Sequence, residues 1–548
     1  MQGKRPTISS LHGMVAAAHP LAAQAGAQML AAGGNAFDAA VAVAAALGVV
    51  EPAMSGLAGM GVATCWIASE RRVRVLDFMG RVPVDFPADR FTSIGQLNRG
   101  ALSCGVPSNL AGWAELIATH GKKSLGDALE PATALAQDGF PLLDYTLDAI
   151  QRTNNEATGQ ELFAEWRRTY MQAAGSVLRQ PDLARTLAAI SANGPAHLYD
   201  GPLGRALVGA VSEAGGCITL RDLAAVHPAW VAPLDAAYRG CVVHAPPPPS
   251  EAFQYLLTLR ILDGFDIVRH PRGGADHLDL VWRSIRLAAG VRVRCELSGT
   301  AMEAVFSDES VAALRARVLD GKAINGITEG YPDPNPPGPD REQTTSFSVA
   351  DRTGNVICCT QTLGVSFGSG MVVPGTGVCL NDLHYFGDVD PAGPNALRPG
   401  MPLGLPIAPS IVTRAGKPIL ALGTPGGYGI CQTQAQVLVQ YLDYGLSLQD
   451  AIDSPRARLW NGSAVLAETR IGEAAATTLQ ARGHDIEQPD AWSIRVGGMH
   501  GVAIEPATGA MTGGADSRRD GTAIAPTIPL RTVDTTKSLL DPDAAQQQ

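Results

Sequence analysis

Two threonines side by side, Thr344 and Thr345, follow three residues after a stretch no core could use, "YPDPNPPGPD", residues 331–340. A third, Thr362, lies eighteen residues beyond the first. A threonine hydroxyl is a poor nucleophile unless a base stands beside it. A cut just before Thr344, between Gln343 and Thr344, creates such a base: the new α-amine. Its ordinary pKa lies near neutrality, and it sits within reach of the same residue's hydroxyl. One residue then carries both nucleophile and base. The proline-rich stretch, read as an exposed flexible loop over 330–343, is where a chain is readily cut.

The elements around these residues position them. Residues 344–350 and 356–362 alternate as two strands joined by "DRTGN", whose Gly354 and Asn355 suit a tight turn. Pairing Ala350 with Val356 sets Thr344 opposite Thr362, on one sheet face and close enough for hydroxyl contact. Spacing alone equally fits an ordinary cross-strand Thr–Thr pair. Pleating sends Thr345 to the opposite face. Further strands are expected at 370–380, 407–413 and 418–423, with helices over about 430–445 and 447–454. The segment "KPILALGTPGGYGICQTQAQVLVQYL" reads strand, glycine loop, helix, and bare N–H groups at such a helix start can hold a developing oxyanion. A phosphate loop fits it poorly, since there is no GxGxxG and no following Lys-Ser/Thr.

Earlier in the chain, "HPLAAQAGAQMLAAGG" reads as a helix stopped by Gly33 and Gly34, and Asn35 as the N-cap of the next helix. "TCWIASERRVRVLDFM" alternates like a hairpin, residues 109–320 are mainly helical patches, and the tail 538–548 reads as disordered. Helices before and after two blocks of strands fit a layered α/β protein with its sheets inside.

The chain has 548 residues, a net charge of −10, 46% apolar and 17% charged residues. That describes a globular protein, and its scattered Lys and Arg argue against nucleic acid as a partner. No apolar run suits a membrane span or a secretory signal. Nine cysteines without CxxC spacing read as reduced thiols of a cytoplasmic protein, with Cys358 and Cys359 on opposite strand faces. Eleven histidines show no zinc spacing, so no metal or other cofactor is expected; His384 reads as a shape or hydrogen-bonding element.

Taken in order, "MVAAAHPLAAQAGAQMLAAGGNAFDAAVA", "EPAMSGLAGMG", "APPPPS", "EQTTSFSVADRTGNV", "VPGTGVCLND", "ALGTPGG" and "GGADSRRDGTA" resemble the γ-glutamyltransferase superfamily along nearly the whole chain. The resemblance implies an αββα sandwich, the fold of N-terminal-nucleophile hydrolases. It implies a precursor cut into a large chain, 1–343, and a small chain, 344–548, with pairing of two such heterodimers left open. Thr344 becomes the nucleophile, Thr362 its supporting hydroxyl, and Gly426 and Gly427 the oxyanion hole. The substrate-holding half departs from the family. Its arginine falls on Met79, with Arg81 two places on. Its acidic residue falls on Phe386, or on Tyr385 with a one-residue slip. Its serine pair falls on Leu405 and Pro406, and its asparagine on Gly364. A pocket without charged partners cannot compensate the desolvation of a zwitterion. The pattern is similar to the acylase-like branch, such as cephalosporin acylases and oxamate amidohydrolases. The expected reaction is hydrolysis of a small amide whose acyl part lacks the α-amino group. Arg81 is the candidate for holding a single carboxylate. A true γ-glutamyl hydrolase or transferase, and an uncut inactive binding protein, are the rival readings.

Overall fold

The computed structural model describes residues 7–171, 177–295, 299–320 and 342–527. Most of the proline-rich loop, and the tail 538–548, lie outside the described residues.

Two seven-stranded antiparallel sheets face each other. One runs Thr522–Ile524, Gly13–Ala17, Glu342–Asp351, Val356–Val365, Met60–Ile67, Arg72–Phe78, Ala229–Val231. The other runs Ile8–Ser10, Met511–Ala515, His500–Ile504, Lys417–Gly423, Ser410–Arg414, Cys241–Ala245, Leu234–Tyr238. The helices Pro20–Ala31 and Ala36–Val50 cover the outer face of the first sheet, and Phe253–Leu262, Ile430–Leu442 and Leu448–Asp453 that of the second. The fold is the expected αββα sandwich. Cys358 faces the inter-sheet core and Cys359 the helical side, as pleating requires.

The weakly apolar alanine run becomes the buried helix Ala36–Val50. Helices Leu125–Asp138 and Pro20–Ala31 pack on it, so nearly every side is covered and small residues are what fit. Asn35 caps it as expected: its Oδ1 accepts from Phe37 and Asp38 N–H at 2.9 and 3.2 Å, and Asp38 accepts back from Asn35 N–H at 2.8 Å. The turn of the threonine hairpin is fixed by Asp351, whose Oδ1 accepts from Thr353 and Asn355 N–H. Its Oδ2 accepts from Ala36 N–H at 2.9 Å, tying the hairpin to the start of that helix.

One expectation needs correction. Residues 370–380 hold only two two-residue strands, Val372–Val373 and Val378–Cys379. Gly370, Gly375 and Gly377 all take positive φ, which turns the segment back on itself.

Candidate active site

The threonine hairpin keeps the expected register from Ala350↔Val356 to Thr345↔Gln361, then slips, so that Gln343 faces Gly364. Thr344 sits in the slip. Its hydroxyl still reaches across, donating to Thr362 Oγ1 at 3.4 Å. Thr362 in turn donates to the carbonyl oxygen of Gln343 at 2.7 Å and accepts from Gly364 N–H at 2.8 Å. Its hydroxyl is thereby fixed on the carbonyl of the Gln343–Thr344 bond. Thr344 and Thr362 are 4% and 3% exposed, so these contacts form away from bulk water. Thr345 points away, donating to Glu51 Oε2 at 2.9 Å.

The glycine loop lies beside this strand. The Lys417–Gly423 strand packs so tightly behind it that a Cβ at Gly423 would collide with Ser346 Oγ. Gly426 and Gly427 follow at φ 126° and 52°, conformations that side chains resist. They lead through a turn at Gly427–Gly429 into helix Ile430–Leu442. Among the described residues neither N–H donates to a protein acceptor. Two bare N–H groups at a helix start are what an oxyanion requires.

Three of the positions where the chain departs from the family lie in the same apolar core. Met79, Phe386 and Leu405 share one buried apolar cluster, together with Val82, Leu383 and Leu403. The ring of Tyr385 meets that of Phe386 edge-on, centroids 5.9 Å apart. Pro406 adjoins the cluster, its carbonyl accepting a weak bond from Cys431 Sγ. Gly364, at φ 107°, has no room for a side chain: a Cβ would strike Asp382 Oδ1 and come 3.1 Å from Phe386 Cε2. Asp382 thus fills the space that the family's asparagine would take. Arg81 is exposed, with its Nη1 3.5 Å from Gly400 O, in a groove shared with Asp77, Ser108 and Asp222. His384 is buried, hydrogen-bonded through Nδ1 to Leu102 O at 2.7 Å and set against Phe86. Burial lowers its pKa to about 4, which keeps the ring neutral. No cluster of His, Cys, Asp and Glu able to hold a metal occurs among the described residues.

Four residues near the site went unrecognised in the sequence. Asp382 is wholly buried, and only its Oδ1 is satisfied, by Val365 N–H at 3.0 Å; its Oδ2 has no partner among the described residues. Burial pushes this carboxyl up to about 7, with Arg99 opposing. Glu51 is also pushed up to about 7 by burial, against Arg519 and the Thr345 hydrogen bond. Arg519 Nη1 lies 3.5 Å from the carbonyl oxygen of Thr344, and its guanidinium sits 5.1 Å from the centre of the Tyr145 ring. Tyr145 donates to Gln343 Oε1 at 2.7 Å. Glu51, Tyr145 and Arg519 lie 294, 198 and 175 residues along the chain from the hairpin residues they meet, so no local spacing could announce them. The neighbouring Arg518 plays a different part, in a buried network with Glu468, Asp516 and Arg456. There the two arginines hold Asp516 far below the usual carboxylate range despite its burial.

Two facing antiparallel sheets between helical layers, with a threonine on a central strand and a bare-N–H loop beside it, define an N-terminal-nucleophile hydrolase fold. The family model described as gamma-glutamyltranspeptidase matches residues 22–526, and the chain belongs to that family. Among curated relatives, "Acylase ACY 1 proenzyme" of Pseudomonas sp. (strain SE83) is 34% identical over 95% of either chain. "Glutathione hydrolase proenzyme" of Bacillus subtilis (strain 168) is 29% identical over 93% of this chain and 91% of that one. Among solved structures, cephalosporin acylase from Bacillus halodurans superposes with a TM-score of 0.87 at 30% identity, covering 96% of this chain and 98% of that one. The chain is therefore an enzyme of the amide-hydrolysing kind.

Proposed function

We propose that the protein cuts itself between Gln343 and Thr344, into chains 1–343 and 344–548, and then uses Thr344 to hydrolyse a small amide whose acyl group lacks an α-amino group. The observation that carries the first part is the contact of Thr362 with both the Thr344 hydroxyl and the Gln343 carbonyl oxygen. Attack of Thr344 Oγ on the Gln343 carbonyl carbon forms an ester and breaks the C–N bond, and the released nitrogen becomes the α-amine. Thr362 stabilises the charge that builds on the carbonyl oxygen. Water then cleaves the ester, leaving a Gln343 carboxylate and a free Thr344 hydroxyl.

In the mature enzyme the α-amine takes the hydroxyl proton as Thr344 Oγ attacks the substrate amide. The tetrahedral oxyanion is held by Gly426 and Gly427 N–H, and the amine proton passes to the leaving nitrogen. Water, activated by the same amine, hydrolyses the acyl-enzyme. The relatives named acylase, at similar identity to this chain over nearly full length, support this class. The acyl preference rests on Met79, Phe386 and Leu405, apolar side chains of a buried cluster that stand where the family has partners for a zwitterion.

One observation favours the rival γ-glutamyl reading: the unpartnered Oδ2 of Asp382, beside Gly364, could receive an ammonium. A single comparison decides between them. A γ-glutamyl anilide and a glutaryl anilide differ only in the α-amino group, and kcat/KM should favour the glutaryl compound. Preference for the γ-glutamyl one would overturn the acyl assignment. For the cut itself, N-terminal sequencing of the small chain should begin at Thr344, and Thr344→Ala should stay full-length and inactive.

A further inference from the structure

Self-cleavage places a demand that turnover does not. The Gln343 carbonyl carbon must stay beside Thr344 Oγ within the uncut chain, to within a few tenths of an ångström. A β-ladder normally fixes a strand's backbone, but here the ladder is interrupted between Gln343 and Thr345. Gln343 is paired with Gly364 and Thr345 with Gln361, so Thr344, on the far side of the bond, falls in the slip and needs holding from elsewhere.

Side chains do so from three directions. Thr362 takes the Gln343 carbonyl at 2.7 Å, and Arg519 reaches the Thr344 carbonyl at 3.5 Å. The third is Tyr145, in the first turn of helix Asp144–Glu156, whose hydroxyl donates to the Gln343 side-chain oxygen at 2.7 Å. The Gln343 side chain is buried, and the Arg519 guanidinium lies against the Tyr145 ring. Burial pushes the phenol's pKa up, so it remains a proton donor throughout the physiological range. A glutamine at the end of a loop has no packing reason to be buried with its amide oxygen paired; before a scissile bond it has a geometric one.

We propose that Tyr145 is a positioning residue for self-cleavage: acting through the Gln343 side chain, and with Arg519 on the far side of the bond, it fixes the scissile peptide where the interrupted ladder cannot. The idea rests on the cut at Gln343–Thr344. It adds that the large chain supplies part of the device that severs it.

The experiment is a pulse–chase of the full-length chain in cell-free translation, following loss of the uncut band on a denaturing gel. Tyr145→Phe removes only the hydroxyl, and Gln343→Met removes the side-chain amide, acceptor and donor alike, at nearly constant shape. Each should slow maturation roughly three- to tenfold, the worth of one hydrogen bond. The double variant should be no slower than Gln343→Met alone, because the Tyr145 hydroxyl acts only through that side chain. A general structural effect of either residue would instead multiply the two factors, and that result overturns the proposal, as does maturation of Tyr145→Phe at the wild-type rate. If Tyr145→Phe fails to fold, Gln343→Met in the wild-type background carries the test, and wild-type speed there sinks the idea. A wild-type chain cut elsewhere than before Thr344 would refute the cleavage reading itself, so the two failures are distinguishable.

Discussion

Replacing Thr362 by valine keeps the shape and branching of the side chain and removes one oxygen. That oxygen donates to the Gln343 carbonyl at 2.7 Å, accepts from Gly364 N–H at 2.8 Å, receives the Thr344 hydroxyl at 3.4 Å, and lies 3.4 Å from the Gly364 carbonyl oxygen. The first contact faces the atom on which negative charge develops. Losing one such donor elsewhere costs about 2.7–4 kcal/mol of transition-state stabilisation, or roughly 10²–10³ in rate. The second loss strands a buried N–H, at about 1–3 kcal/mol of stability. Thr362→Val should therefore mature at least about a hundredfold more slowly and melt lower. Thr362→Ser, which keeps the oxygen, should stay within about tenfold of wild type in maturation. Pulse–chase maturation and thermal melting, the latter in an uncleavable Thr344→Ala background, read the two effects separately. If Thr362→Val matured within a few-fold of wild type while folded, the Thr362–Gln343 contact would have no part in the cut.

Thr345→Val should leave maturation far less affected than Thr362→Val, because the Thr345 hydroxyl points to Glu51 on the other face; the same pulse–chase compares them. Glu51 predicts a pH effect. Its folded pKa, raised to about 7, lies above the ordinary 4.5, so the folded state binds the extra proton between those values. Its contribution to stability is thus full below about 4.5 and lost as pH rises through 7. Glu51→Gln should flatten that decline, measured as melting temperature against pH. Phe386→Asp, which restores the family's acidic residue type, should destabilise the fold by about 3–5 kcal/mol in denaturant titration. The new carboxylate would be buried among the apolar side chains of the cluster that holds Met79 and Leu405.

How much of this the sequence carried depended on distance along the chain. The hairpin was legible because its turn, "DRTGN", and its alternation are local, and they set the register up to Thr345↔Gln361. The slip at Thr344 was not, because it answers to groups from elsewhere: Glu51, Tyr145 and Arg519 converge from both ends of the chain on three consecutive residues. The helix cap at Asn35 and the stop at Gly33 were local too, and stand as read. Residues 370–380 misled because Val and Cys alternate there with glycines whose positive φ breaks a strand before it runs. The departures at Met79, Phe386 and Leu405 were visible one by one. That they form a single apolar cluster, and that Asp382 occupies the room above Gly364, required three dimensions.

The order of strands has a further consequence. Neither sheet is built from one of the two proposed chains alone. In the first, Gly13–Ala17 lies between Thr522–Ile524 and Glu342–Asp351, so a large-chain strand is flanked on both edges by small-chain strands. In the second, Ile8–Ser10 and Cys241–Ala245 bracket four small-chain strands. Two chains woven in this way cannot part without unzipping both sheets, yet the single chain that wove them no longer exists after the cut. Refolding would then have to find a partner in solution, where before it closed a loop. If the chain is cut as proposed, a molecule once melted would no longer refold as one chain, and its working life would be governed by how slowly it opens and not by the equilibrium that first folded it.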